Sequence, residues 1–195
     1  MTQELEIEFK NLVTKEEFSY LLAEFSLDMH QFIIQQNHYF DTIDFSLKER
    51  KAALRIRYKN NSYTLTLKQT IEEGILETHQ KLTDKEARSI LEGFPLIKGE
   101  VYDIIKEDGI NPEALKYLGM LETSRAEIQY EDGTLVFDHS RYLNQSDYEI
   151  EYEATHFQKG QQNFRKFLQT YNIPIRETEN KIRRFFRAKG LEGTE

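Results

Sequence analysis

Charged and apolar residues alternate through Glu4-Leu5-Glu6-Ile7-Glu8-Phe9-Lys10, and a period of two returns in Arg55-Ile56-Arg57, Leu65-Thr66-Leu67-Lys68 and Glu149-Ile150-Glu151-Tyr152-Glu153. Side chains two apart on a strand share a face, so each segment carries its charges to one side and its apolar residues to the other. A single strand of this kind reads as a sheet edge whose charged face meets water and blocks edge-to-edge pairing. Recurrence argues for more than that, because some faces are acidic, others are basic, and the two kinds complement each other. Glu6 and Glu8 with Lys10 beside them form a face able to hold a divalent metal.

The chain has 195 residues, 38% of them hydrophobic and 12% aromatic, enough to bury one sizeable core in a single domain, 1–195. It has no cysteine, which excludes disulfides, thiolate metal sites and a cysteine nucleophile. Met1-Thr2-Gln3-Glu4 offers no basic segment leading into an apolar one, and no long apolar run follows. Neither a signal peptide nor a spanning helix is expected, so the cytoplasm is the default compartment and no membrane partner is expected. The formal net charge of -8 argues against nucleic acid as a partner. Any anion must be met by local cations. A homodimer stays open.

Along the chain, 3–11 reads as a strand and 15–25 as a helix with Thr14 as N-cap and Phe18, Leu21, Leu22 and Phe25 at helical spacing. Segments 31–41, 51–59, 62–69 and 74–81 read as strands, with Asn60-Asn61 as a turn and Glu73-Gly74 opening the last. The stretch 83–118 reads as short helices, starting at Thr83-Asp84-Lys85-Glu86 and punctuated by Pro95, Gly99 and Pro112. Strands follow at 121–131, 134–142 and 147–154, with Asp132-Gly133 as a hairpin turn, then a helix over 157–171 and a short final segment after Pro174. The order suggests two approximate copies of a strand-helix-strands unit. About eight mainly antiparallel strands can close into a barrel wide enough for a ligand. With charged faces inward, the helices must cover the outside, and the lumen needs a charged ligand, ions or water to balance its buried charges.

Glu6-x-Glu8-x-Lys10, Tyr39-Phe40-Asp41-Thr42, Leu54-Arg55-Ile56-Arg57, Thr66-Leu67-Lys68, Arg125 in a mid-chain strand, Asp138, Glu151-x-Glu153 and Asn180-Lys181-x-Arg183 occur in an order that resembles the CYTH superfamily, also called the triphosphate tunnel metalloenzymes. The resemblance runs over nearly the whole chain. It implies an α+β fold whose closed eight-stranded, mainly antiparallel β-barrel forms a triphosphate tunnel with a charged lumen and helices packed outside. It implies Glu6, Glu8, Asp138, Glu151 and Glu153 as ligands of Mg²⁺ or Mn²⁺, with Asp138 the weakest member. Arg55, Arg57, Lys68, Arg125 and Lys181 then clamp a small molecule bearing a triphosphate, and Glu8, Glu153 and Lys10 stand at the reacting centre. Arginine grips phosphate oxygens in a fork and lysine supplies a point charge, which suits phosphoryl transfer, a reaction of positioning and charge neutralisation. Thr123, two before Arg125, and Asn180, before Lys181, stand where some members carry a cation and a serine, so the implied clamp is lighter. Glu149 shares the face of Glu151 and Glu153 and can replace either.

The residues taken singly have plainer readings. Arg55 and Arg57 read as a solvated face, Lys68 as a lone surface lysine, Arg183-Arg184 as a basic helix end and Asp138 as a turn residue before Ser140. Tyr39 and Phe40 read as barrel packing, and Glu77 as a further lumen candidate. His30, His38, His79, His139 and His156 have no metal-ligand spacing and read as structural or surface groups. No glycine-rich phosphate loop, dinucleotide fingerprint or nucleophile elbow occurs, so side chains must grip any phosphate. Three functions follow: metal-dependent hydrolysis of inorganic, nucleoside or thiamine triphosphate; a class IV-type adenylyl cyclase making cyclic AMP from ATP; and a noncatalytic polyphosphate or nucleotide sensor. The acidic pairs at both ends of the chain disfavour the sensor, since a pure anion binder gains nothing from carboxylates.

Overall fold

The computed structural model describes residues 3–72 and 74–190. Met1, Thr2 and Glu73 lie outside the described residues, so the turn expected at Glu73-Gly74 is seen only from Gly74 on. The period-two segments form strands β1 (Gln3–Val13), β2 (Ile33–Asp41), β3 (Ala52–Lys59), β4 (Ser62–Ile71), β5 (Gly74–Leu82), β6 (Lys116–Tyr130), β7 (Gly133–Tyr142) and β8 (Gln145–Ala154). The helices are α1 (Lys15–Glu24), α2 (Ser46–Glu49), α3 (Asp84–Leu91), α4 (Glu100–Glu107), α5 (Phe157–Thr170) and α6 (Lys181–Ala188). The strands close into a barrel in the order β1-β5-β4-β3-β2-β6-β7-β8. This is the expected α+β architecture, with antiparallel pairing throughout the ladders β1–β5, β1–β8, β2–β3, β3–β4, β4–β5, β6–β7 and β7–β8. Among the described residues, no helix is long and apolar enough to cross a membrane.

Local chemistry accounts for the helix starts. Thr14 and Thr83 each accept a hydrogen bond from the backbone three residues on, while Glu17 and Glu86 reach back to the cap nitrogen, completing two capping boxes. The helical middle is shorter than expected, because β6 begins at Lys116. What extends it is tertiary: Tyr117 packs its ring on Phe40, 5.5 Å between centroids, and its hydroxyl lies 3.0 Å from His38 Nδ1. At the β6–β7 hairpin, Tyr130 pairs with Gly133, leaving Glu131 and Asp132 as the loop. The left-handed backbone falls on Glu131 (φ 52°), and Gly133 serves a close approach: a Cβ there would meet the Glu153 carbonyl oxygen at 2.4 Å.

The chain divides into two compact units, one comprising the residues through Glu6 and Gln35–Met120, the other Ile7–Ile34 and the chain from Leu121 onward. Each takes two separate stretches of chain, so their boundaries cut across the repeat suggested by element order. In the first unit, Phe40, Leu54, Ile56, Leu65 and Leu67 form an apolar sheet face covered by Ala87 and Ile90 of α3 and Val101 and Ile105 of α4. In the second, Leu135, Phe137, Ile150 and Tyr152 pack against Phe18 and Leu21 of α1 and Phe164, Phe167 and Leu168 of α5. Burying each such side chain contributes about 1.5–3 kcal/mol. With the apolar faces under helices on the outside, the alternate residues turn their charges to the barrel interior.

Candidate active site

The interior face of the first unit is built by register. Arg55 on β3 lies opposite Thr66 on β4, Thr66 opposite His79 on β5, Lys68 opposite Glu77, and Glu77 opposite Glu4 on β1. Lys68 Nζ donates to Glu6 Oε2 at 2.7 Å and is ion-paired with Glu77. Arg55 Nη2 lies 3.9 Å from Glu77 Oε2, and its buried Nε has no hydrogen-bond partner among the described residues. Arg57 Nε donates to Asn37 Oδ1 at 2.9 Å. Burial pushes the Glu77 carboxyl up, but the charges of Arg55 and Lys68 prevail and bring it down to about 2. Arg55 and Arg57 are thus no solvated face, and Lys68 is no lone surface lysine. His79, which the sequence places among structural or surface histidines, stands in this cluster, its Nε2 3.2 Å from Glu77 Oε2 and its Nδ1 3.0 Å from Thr66 Oγ1.

The second unit holds a denser network. Arg125 on β6 forks onto Asp138 on β7, Nε to Oδ1 at 2.8 Å and Nη2 to Oδ2 at 2.6 Å, and Nη2 also donates to Glu151 Oε2 at 2.6 Å. Lys181, the first residue of α6, puts its ammonium 2.9 Å from Asp138 and in ion pairs with Glu149 and Glu151. Asn180, instead of opening a gap in the clamp, caps α6 by accepting from the Arg183 N–H and so aims Lys181. Thr123 bonds Ser140 at 3.2 Å. Asp138 lies mid-strand and fully buried, not at a turn.

Arg184 is the residue that the sequence missed. One turn after Lys181, it is 3% exposed and donates to Glu149 at 2.6 Å and to Asp147 at 3.0 Å. Its neighbour Arg183 is exposed, as a basic helix end would be. Helical spacing from Lys181 was the signal available, since positions three apart share a helix face.

The carboxylates respond differently to this company. Burial opposes ionisation throughout, yet Lys181 and Arg125 hold Glu151 well below the ordinary range, and Arg125 and Lys181 lower Asp138. Glu149, adjoining Glu151, is pushed up by burial to about 7. Lys10, bonded to Glu8 at 2.7 Å, is raised because Glu8, Glu151 and Glu149 outweigh its burial.

Oxygens of Asp138, Glu149 and Glu151 lie within 4.8 Å of one another, close enough to share one ion. Each of the three also accepts from a cation, Asp138 and Glu151 from Arg125 and Lys181, and Glu149 from Lys181 and Arg184. Glu8 and Glu153 fit a metal differently. They are register partners on β1 and β8, with Glu6 two residues before Glu8 on the same face. Glu153 is 37% exposed at its side chain and stands 3.6 Å from Arg125 Nη1, and burial together with Glu151, Glu127 and Glu8 pushes its carboxyl up. Three carboxylates on adjoining strand faces offer the oxygen ligands that a hard divalent cation takes.

A family model described as the CYTH domain matches residues 4–186. The chain is 50% identical over 189 residues to the Bacillus subtilis (strain 168) protein named "Putative triphosphatase YjbK", covering 97% of this chain and 98% of that protein. Its fold superposes with a TM-score of 0.92 on the crystal structure of a protein from Bacillus halodurans described as a "putative adenylate cyclase", at 47% identity over 95% of this chain and 100% of that one. HpAC1 from Hippeastrum, described as a "putative adenylyl cyclase" with a dominant triphosphatase activity, superposes with a TM-score of 0.74 at 25% identity, over 94% of this chain and 96% of that one.

Proposed function

Because the chain belongs to the CYTH domain family, we propose that it acts as one domain, 1–195, to hydrolyse a triphosphate substrate with the help of Mg²⁺ or Mn²⁺. One observation carries this reading. Arg55, Arg57, Lys68, Arg125 and Lys181 all face the barrel interior, partly shielded from water and bound to carboxylates or amides there. Such a set of half-buried cations matches a compact polyanion, and the triphosphatase name of the B. subtilis relative and the dominant triphosphatase activity described for the Hippeastrum one support the choice of a triphosphate.

Arg55, with its open Nε, Arg57 and Lys68 in the first unit bind phosphate oxygens, as do Arg125 and Lys181 in the second. Arg125 is held by its fork onto Asp138, so its guanidinium is oriented before substrate arrives, which lowers the entropy lost on binding. Glu6, Glu8 and Glu153 would hold the metal, with Glu151 and Asp138 setting the cations beside it. When bound, such a metal neutralises phosphate charge and lowers the pKa of a coordinated water. Lys10 holds Glu8 in place through their 2.7 Å hydrogen bond. Glu153, the more exposed and less paired of the two, accepts the proton of the attacking water.

The test is product analysis with inorganic triphosphate and ATP supplied separately, each with Mg²⁺ or Mn²⁺. Orthophosphate is expected, and Glu8→Gln is expected to abolish its release. Arg57→Ala should weaken triphosphate binding with or without metal. The cyclase description of the B. halodurans relative makes cyclic AMP with pyrophosphate the competing outcome. Its appearance as the main product would replace hydrolysis by cyclisation, and tight binding without turnover would make the protein a sensor.

A further inference from the structure

On β2 the residues alternate between the two sides of the barrel wall. Phe40 belongs to the apolar layer, and Gln35, Asn37 and Tyr39 share the opposite, interior face. Gln35 is 1% exposed, and neither Nε2 nor Oε1 of its carboxamide has a hydrogen-bond partner among the described residues. A buried amide open at both its donor and its acceptor destabilises a fold, and an apolar side chain of similar size would avoid the cost. Two residues on, Asn37 Oδ1 accepts from Arg57 Nε at 2.9 Å, tying the guanidinium to the strand face that carries Gln35. Arg55, opposite Tyr39 in the same ladder, has its buried Nε open too.

The open groups constrain what they bind. Two N–H donors on a strand face that also holds an arginine suit the nonbridging oxygens of a phosphate. An amide oxygen does not suit an anion, and its presence calls for an O–H. We propose that Gln35 contacts the terminal phosphoryl group of the substrate. Its Nε2 donates to a nonbridging oxygen, and its Oε1 accepts from an O–H at the same phosphorus, supplied by a P–OH of that unesterified phosphate or by the water that attacks it. This rests on the triphosphatase reading above, which did not assign Gln35 any part.

The experiment compares wild type, Gln35→Leu and Gln35→Glu in thermal unfolding, in calorimetric titration with inorganic triphosphate without metal, and in kcat and KM for phosphate release with metal. Gln35→Leu should unfold at or above the wild-type temperature while losing about tenfold or more in one functional constant. Loss of affinity identifies P–OH as the source of the O–H; loss of kcat at unchanged affinity identifies the attacking water. Gln35→Glu keeps the acceptor but sets an anion against phosphate, so its triphosphate affinity should fall below that of Gln35→Leu. Wild-type affinity and kinetics in Gln35→Leu overturn the proposal, as does a lowered unfolding temperature with both constants intact, the mark of a purely structural amide. A wild-type protein that neither binds nor cleaves any triphosphate would instead bring down the function reading itself.

Discussion

Arg184 shows how much one buried cation decides at the scale of a residue. It satisfies Glu149, Asp147 and the Glu179 carbonyl at once, and Glu149 has no exposure to water. Replacing Arg184 with methionine should destabilise the protein by about 3 kcal/mol, because the buried Glu149 keeps Lys181 but loses one of its two cations. Denaturant titration would read this, and adding Glu149→Gln should recover part of the loss; a change under about 0.5 kcal/mol, ordinary for a surface residue, would show that Arg184 is not holding the cluster. The acidic strand face was legible, since Glu149, Glu151 and Glu153 alternate with apolar residues. Which of them would be neutralised was not, because their partners Lys181 and Arg184 come from a helix some 30 residues later.

Among the elements, α5 depends on a small residue where it crosses the sheet. A Cβ on Gly160 would meet the Ala154 Cβ at 2.4 Å and the Phe9 ring at 2.7 Å. Helix propensity alone favours Gly→Ala by about 1 kcal/mol, but overpacking of a close helix–sheet contact costs about 1–3 kcal/mol. Sterics should therefore win, so Gly160→Ala is expected to lower the unfolding midpoint; a raised midpoint would mean that α5 can shift without loss. Most elements were readable from sequence because their signals are local: the two Thr-x-x-Glu capping boxes, the period of two in β1, β3, β4 and β8, and the helical spacing in α1 and α5. The early start of β6 was not, because Tyr117 takes its place from Phe40 and His38, far away in the chain.

For the whole molecule, the interior charges link stability to acid. Glu77 falls from an ordinary 4.5 to about 2 when folded, through Arg55 and Lys68. A depressed folded value means that its stabilisation is fully present above about pH 4.5 and is lost as pH falls toward about 2. Wild type should therefore lose stability steeply across that window, and Glu77→Gln should flatten the fall; parallel acid-denaturation curves for the two proteins would remove Glu77 from the account. The alternating segments by themselves determined that this chain makes strands with one charged and one apolar face, and the ordered motifs identified the family and its barrel. That information is local, since the pleat assigns a side chain to a face within two residues. Only the tertiary structure decided the pairing within the charged face: that Asp138 belongs to Arg125, that Arg184 enters and Arg183 does not, that His79 joins Glu77, and that the Gln35 amide finds no partner among the described residues. Those choices follow from strand register and from where α6 docks, contacts between residues far apart in the chain that no local pattern encodes.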